Sequence, residues 1–205
     1  MEVLCMVNYP QRAIPQTGDR MTVQEYFRLD YTVPNEKYEY QDGMVRLMLG
    51  GTGAHAQISG NMYVALCLNF RSGPCTVFNS DMRVQVAKDT YFLPDVTLSC
   101  DVADRHPTAT AIRSPRIVVE VLSSSTEKVD RTTKLKAYQA CPSIQEIVLI
   151  AQFTPHVEVY RRHAEVETEW SRSVYEEGEE VSLQSVDVFI PMDEIYRGID
   201  FSLFP

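Results

Sequence analysis

The chain has 205 residues, 44% of them apolar, with nine glycines and eleven prolines; this is globular composition and excludes a collagen-like or disordered polymer. A formal net charge of -9 opposes non-specific nucleic-acid binding, which Lys and Arg contacts to phosphate normally supply, although a local basic face is compatible with a negative total. The five cysteines (Cys5, Cys67, Cys75, Cys100, Cys141) are odd in number and include no C-x-x-C pair, so they argue against a disulfide framework or a zinc knuckle and suit a reducing cytoplasm. No run approaches the roughly 20 apolar residues a membrane helix needs, and the first residues carry no secretory-signal pattern.

Residues 1–20, with Pro10, Pro15 and Gly18 and no apolar period, read as a loose leader to one domain over 21–205. Thr22 and Glu25 form a capping-box pattern that predicts a helix to about Leu29. A short helical or turn segment is expected over Asn35–Tyr40, then the Asp42-Gly43 turn and a strand over Met44–Leu49. Ala54, Ile58, Met62, Ala65 and Leu66 recur at helical spacing, predicting an amphipathic helix from Thr52 to about Phe70. Three strands are expected over Cys75–Val86, Tyr91–Ser99 and Ile117–Leu122, the last an unbroken apolar run typical of a strand buried on both faces. A helix capped by Ser125 or Thr126 should run to about Gln139 and a buried strand should follow over Glu146–Ile150, giving a βαβ unit. His156–Arg161 and Trp170–Tyr175 alternate like a hairpin, and Val181–Leu183 with Val186–Ile190 extend its antiparallel part. The fold class expected is α/β or α+β, a central mixed sheet flanked by helices and extended by C-terminal antiparallel strands.

Glu120 stands inside the apolar strand, where an ionised carboxylate costs several kcal/mol unless a partner or metal compensates. Asp95 follows Pro94 in the preceding strand segment, and if the two strands are hairpin neighbours the carboxylates converge at one end of a sheet. Two hard oxygen ligands with open positions suit Mg²⁺ or Mn²⁺ better than zinc. Lys134 lies four residues after Asp130 on one face of the next helix, Tyr138 continues that face, and Lys134 is the candidate source of positive charge beside an attacking water.

Several ordered motifs carry a family resemblance: M-T-V-Q-E-Y (21–26), K-Y-E-Y-Q-D-G (37–43), A-H-A-Q (54–57), L-P-D-V (93–96), V-V-E-V-L-S-S-S-T (118–126), D-R-T-T-K-L-K-A-Y (130–138) and V-E-V-Y-R (157–161). Over roughly Met21 to Tyr160 the chain resembles the Uma2-like family, restriction-endonuclease-like proteins of the PD-(D/E)XK fold. The resemblance implies a metal-dependent endonuclease acting on DNA, with Glu39, Asp95 and Glu120 as metal-binding acids. It implies Lys134 as the lysine of the set, since Leu122 occupies the place two after Glu120 where the E-x-K pattern has Lys. His55, Arg131 and Tyr138 are the candidates for substrate contact, and a homodimer is expected by analogy with nucleases that cut two strands.

Each of these residues also has a plainer role. Glu39 is beside a turn where carboxylates are often solvated, Asp95 can simply end a strand, and His55 can cap a helix. Lys128, Arg131, Lys134 and Lys136 can form a solvated basic face or one that contacts phosphates. Two other functions stay open: a catalytically inactive member serving as a binding or assembly module, and a hydrolase of a small phosphorylated molecule, which would need a closed pocket.

Overall fold

Thr22 starts helix α1 (Val23–Thr32) through a complete capping box: its side chain accepts the Glu25 N–H, and the Glu25 carboxylate accepts the Thr22 N–H at 2.7 Å. The computed structural model describes residues 20–33, 35–163, 165–166 and 168–204, so all of the expected leader except Arg20 lies outside them. The segment expected to be helix or turn is instead strand β1 (Lys37–Gln41), hairpinned to β2 (Met44–Met48). Period two overrides the local expectation. Tyr38 and Tyr40 share one face and bury against Tyr26 and Tyr91, the Tyr26 hydroxyl donating to the Tyr38 carbonyl at 2.8 Å, while Glu39 is directed to the other face. Asp42 and Gly43 both take positive φ, 49° and 92°, as a two-residue hairpin turn requires.

Helix α2 (Gly53–Asn69) is capped by the Thr52 side chain and buries Ile58, Met62 and Leu66, spaced by one turn, against the central sheet. The two longer strands expected next each break in two: β3 (Thr76–Asn79) and β4 (Val84–Ala87), then β5 (Thr90–Phe92) and β6 (Val96–Ser99). Pro94 has no N–H to give a ladder, and the chain leaves one sheet for another across Leu93, Pro94 and Asp95. The smaller sheet has the order β2-β1-β5-β4.

Strand β7 (Pro115–Leu122) leads through α3 (Glu127–Val129), a π-helical turn (Asp130–Lys134) and α4 (Leu135–Ala140) to β8 (Glu146–Ala151), which runs parallel to β7. This is the expected βαβ unit. Strands β9 (His156–Arg162) and β10 (Trp170–Glu176) complete a six-stranded mixed sheet of order β10-β9-β8-β7-β6-β3, with α2 on one face and α4 on the other. The last strands, β11 (Glu180–Leu183) and β12 (Val188–Pro191), do not extend this sheet. They form a separate ribbon because Val181, Leu183, Val188 and Ile190 all bury in the core beneath α2, with the short helix α5 (Met192–Ile195) beside them.

One cysteine pair corrects the expectation from spacing. The β3–β6 register sets Cys75 opposite Cys100, one residue beyond the Thr76–Ser99 pair, and the two form a disulfide; Cys67 and Cys141 are free thiols. Among the described residues no helix is long and apolar enough to cross a membrane.

Candidate functional site

Strands β6 and β7 are antiparallel neighbours with Val96 opposite Val119, so Asp95 and Glu120, one step further, meet at the end of the sheet. Asp95 Oδ2 accepts the Val121 N–H at 2.7 Å, which fixes the carboxylate and leaves Oδ1 outside that bond. Glu39 arrives from the smaller sheet, its Oε1 accepting the Leu93 N–H at 3.1 Å from the crossover that carries Asp95.

Lys134 joins these acids from the helical side. Its Nζ lies 2.7 Å from Glu39 Oε1, 3.0 Å from Glu120 Oε1 and 3.3 Å from Asp130 Oδ1, and all four residues are buried. The π turn widens the helix at Asp130–Lys134, the segment that faces the acids. From beneath, the Tyr138 hydroxyl donates to Glu120 Oε1 at 2.5 Å. Burial alone would favour the neutral amine, yet the carboxylates of Glu120, Glu39 and Asp130 outweigh it and raise the Lys134 pKa above the ordinary lysine value. Burial pushes the Glu120 carboxyl well above the usual carboxylate value; Lys134 opposes this and the neighbouring acids add to it.

These residues form the floor of a cleft of about 1030 Å³ that includes Glu39, Asp95, Glu120, Lys134, His55 and Gln152 in its lining. His55, in the first turn of α2, places Nε2 3.4 Å from Asp95 Oδ2, and the hydrogen bond to Asp95 raises its pKa against the opposing effect of burial. A Cβ at Gly51 would come within 2.8 Å of His55 Nδ1, so the glycine leaves room for the ring in this position. Two residues expected to touch substrate are placed elsewhere. Tyr138 is fully buried under Glu120, in the place of a positioning group, and Arg131 is tied to Glu127 at 2.7 Å and Glu158 at 2.6 Å, outside the cleft lining.

Two members of the site were not singled out by sequence. Asp130 had a visible signal, four residues before Lys134 on one helix face. Gln152, one residue past β8, is 1% exposed, and nothing in the apolar run before it marks it as cleft-lining.

The model of the Uma2 family, described as "Putative restriction endonuclease", matches residues 23–191. A relative from Synechocystis sp., "Uncharacterized protein slr1290", is 33% identical over 183 residues, covering 89% of this chain and 94% of its own. The chain belongs to the Uma2 family. A second relative from the same organism, "Uncharacterized protein sll1609", is 30% identical over 144 residues, 69% of this chain and 81% of its own. Among solved structures, a putative nuclease belonging to DUF820 from Anabaena variabilis superposes with a TM-score of 0.67 at 17% identity, covering 86% of this chain and 97% of that one, and shares the fold. The Uma2 fold thus brings Glu39, Asp95, Glu120 and Lys134 together in this chain from four separate segments.

The donor set can be tested against a divalent ion. No three His, Cys, Asp or Glu side chains among the described residues are gathered as a ready-made metal cage. Asp95 and Glu120 nevertheless present adjacent hard oxygens, and each has one oxygen outside the bonds that fix it, Asp95 Oδ1 and Glu120 Oε2. Three buried carboxylates surround a single ammonium, with Asp95 beside them, so the negative charge is in excess. Such an excess is stable when a proton or a cation compensates it, and the oxygen-only donors fit Mg²⁺ or Mn²⁺.

Proposed function

We propose that this Uma2 protein is a divalent-metal nuclease that hydrolyses phosphodiester bonds of DNA in the cleft between α2 and the acidic floor. The observation that carries the reading is the unbalanced buried cluster: Asp95 and Glu120 side by side, with Glu39 and Asp130 sharing the one ammonium of Lys134. Mg²⁺ or Mn²⁺ held by Asp95 and Glu120 would polarise the phosphodiester, lower the pKa of the attacking water and stabilise charge on the departing oxygen.

The chain's own groups prepare that chemistry. Tyr138 and Lys134 fix Glu120 from two sides, and the Val121 N–H fixes Asp95, so the two carboxylates need little reorganisation. Lys134, held protonated, cannot take a proton from water; it is a fixed positive charge that orders Glu39 and Glu120 and favours an anion near the floor. Glu39 stays with Lys134 and the Leu93 N–H, as a ligand only if that pairing opens. His55 can donate to a phosphate oxygen beside Asp95. Arg131, half-buried on the helix flank, would meet the DNA backbone outside the cleft. A homodimer would bring a second cleft to the opposite strand.

The description of the family and that of the solved relative support nuclease chemistry. The test is Mn²⁺ titration calorimetry and supercoiled-plasmid nicking on wild type and on Asp95→Ala/Glu120→Ala. Mutation-sensitive binding with Mn²⁺-dependent nicking is expected, with nicking lost by at least about 100-fold in the double variant, the scale of one lost transition-state contact. Absence of both in wild type would leave an inactive module, with the Lys134 ammonium serving permanently as the cation among the acids.

A further inference from the structure

Beyond the acidic floor, one wall of the same cleft carries two consecutive side chains that the proposed chemistry does not use. Gln152 is 1% exposed, and its Oε1 has no hydrogen-bond partner among the described residues. An amide oxygen buried without a partner has lost its hydration for nothing in return, and a ligand that supplies the missing donor would restore the bond. Phe153 follows it, lines the same cleft and remains 43% exposed, braced by a T-shaped contact with Phe204 at 5.2 Å between centroids. A ring braced at one side and open to the cleft is a stacking platform.

The parallel pairing of β7 and β8 explains why this wall adjoins the reacting centre. Leu122 is level with Ala151, so Gln152 emerges beside Ser123 at the same end of the sheet at which Glu120 reaches the floor. The neighbouring turn is also polar: the Ser123 hydroxyl lies 3.1 Å from that of Ser125 and 3.0 Å from that of Thr126.

We propose that Gln152 and Phe153 form a nucleobase subsite, Phe153 stacking on the face of an unpaired base next to the scissile phosphate and the Gln152 carboxamide meeting a donor on its edge. The proposal rests on the nuclease reading and deepens it. Duplex DNA keeps its base faces covered and presents none to Phe153, so the element recognised is a single-stranded or locally opened nucleotide. A carboxamide offers both an acceptor and donors, which suits a base edge better than a bare phosphate.

The experiment uses the full chain and short DNA oligonucleotides, single-stranded, duplex, or single-stranded with one abasic position placed in turn along the strand. Binding is measured by fluorescence anisotropy in Ca²⁺, and cleavage in Mn²⁺. Phe153→Ala should weaken single-strand binding by roughly 5- to 150-fold, the range of one lost base stack, and Phe153→Trp should restore it. One abasic position should weaken wild type by a similar factor and leave Phe153→Ala unaffected, because the stacking partner is already gone. Gln152→Leu, which keeps the buried volume, should weaken binding by a smaller factor that also vanishes at that position. Wild type that cleaves in Mn²⁺ while Phe153→Ala binds all substrates equally well would overturn the subsite and leave the nuclease reading standing. Wild type that neither binds nor cleaves any of these oligonucleotides would overturn both.

Discussion

Strands β7 and β8 each bury a glutamate, and the two surroundings differ in charge balance. At the start of β8, Glu146 meets Arg161 at 2.9 Å and accepts the N–H groups of Gln184 and Ser185 at 3.0 Å each. Arg161 spends its other donors on Ser173, Tyr175 and the Ser182 carbonyl. One charge answers one charge, and the pair staples β8 and β9 to the turn between β11 and β12 of the C-terminal ribbon. Near the other end of the sheet, Glu120, Glu39 and Asp130 share the single ammonium of Lys134 beside a cleft, so a proton or a further cation must balance them. Burial of a carboxylate is therefore not the signature of the site. Imbalance at a cleft is.

The largest expected effect breaks the balanced end. Arg161→Met leaves Glu146 buried without its cation and should cost about 3–5 kcal/mol, read by urea unfolding, with no recovery on adding Mn²⁺ beyond that of wild type. Lys134→Met should cost a similar amount in EDTA but regain part of it in Mn²⁺, since an ion that binds only the folded state adds about 2.7 kcal/mol at a hundred times its dissociation constant. Equal responses of the two variants to Mn²⁺ would erase the distinction. A smaller effect of opposite sign is expected at Asp130→Asn: removing one surplus charge while keeping the shape should leave stability unchanged or raise it by on the order of 1 kcal/mol, whereas Glu146→Gln should lower it.

The contrast also shows what sequence can and cannot disclose. Glu120 was legible because it interrupts an apolar strand, and Lys134 was legible as a helix-face lysine near it. The βαβ order was legible because β7 and β8 are continuous apolar runs. Glu39 was reached only through family resemblance, since its local sequence suggests a turn and its role depends on Tyr38 and Tyr40 packing to the opposite face. The balanced pair of Glu146 and Arg161 was not legible. Its partners are 15 residues apart and its backbone donors come from positions 38 and 39 residues beyond Glu146, a distance at which no periodicity operates. Pro94 as a crossover between sheets and the separate β11–β12 ribbon were missed for a related reason: alternation reports that a strand exists, and tertiary packing chooses its sheet.

Glu158 on β9 offers the finest test, because it lies between the two extremes. It is level with Leu149, which is level with Glu120, so it shares the face of the sheet that carries the acidic floor. Unlike Glu120 it is well supplied with partners: Arg131 at 2.6 Å, Arg172 at 2.8 Å and the Tyr160 hydroxyl at 3.1 Å. Burial pushes its carboxyl up, but the Arg131 hydrogen bond and charge, with Tyr160 and Arg172, outweigh burial and hold the pKa below the usual glutamate value. A carboxyl depressed in the folded state stabilises the fold above its unfolded pKa, about 4.3, and that contribution disappears as pH falls through the lower folded value. Glu158→Gln should therefore be less stable than wild type at pH 7, with the gap closing below about pH 4. Urea midpoints at a series of pH values between these limits measure it. A gap that persists in acid would assign the role of Glu158 to packing, and it would then belong with neither the balanced pair nor the surplus cluster.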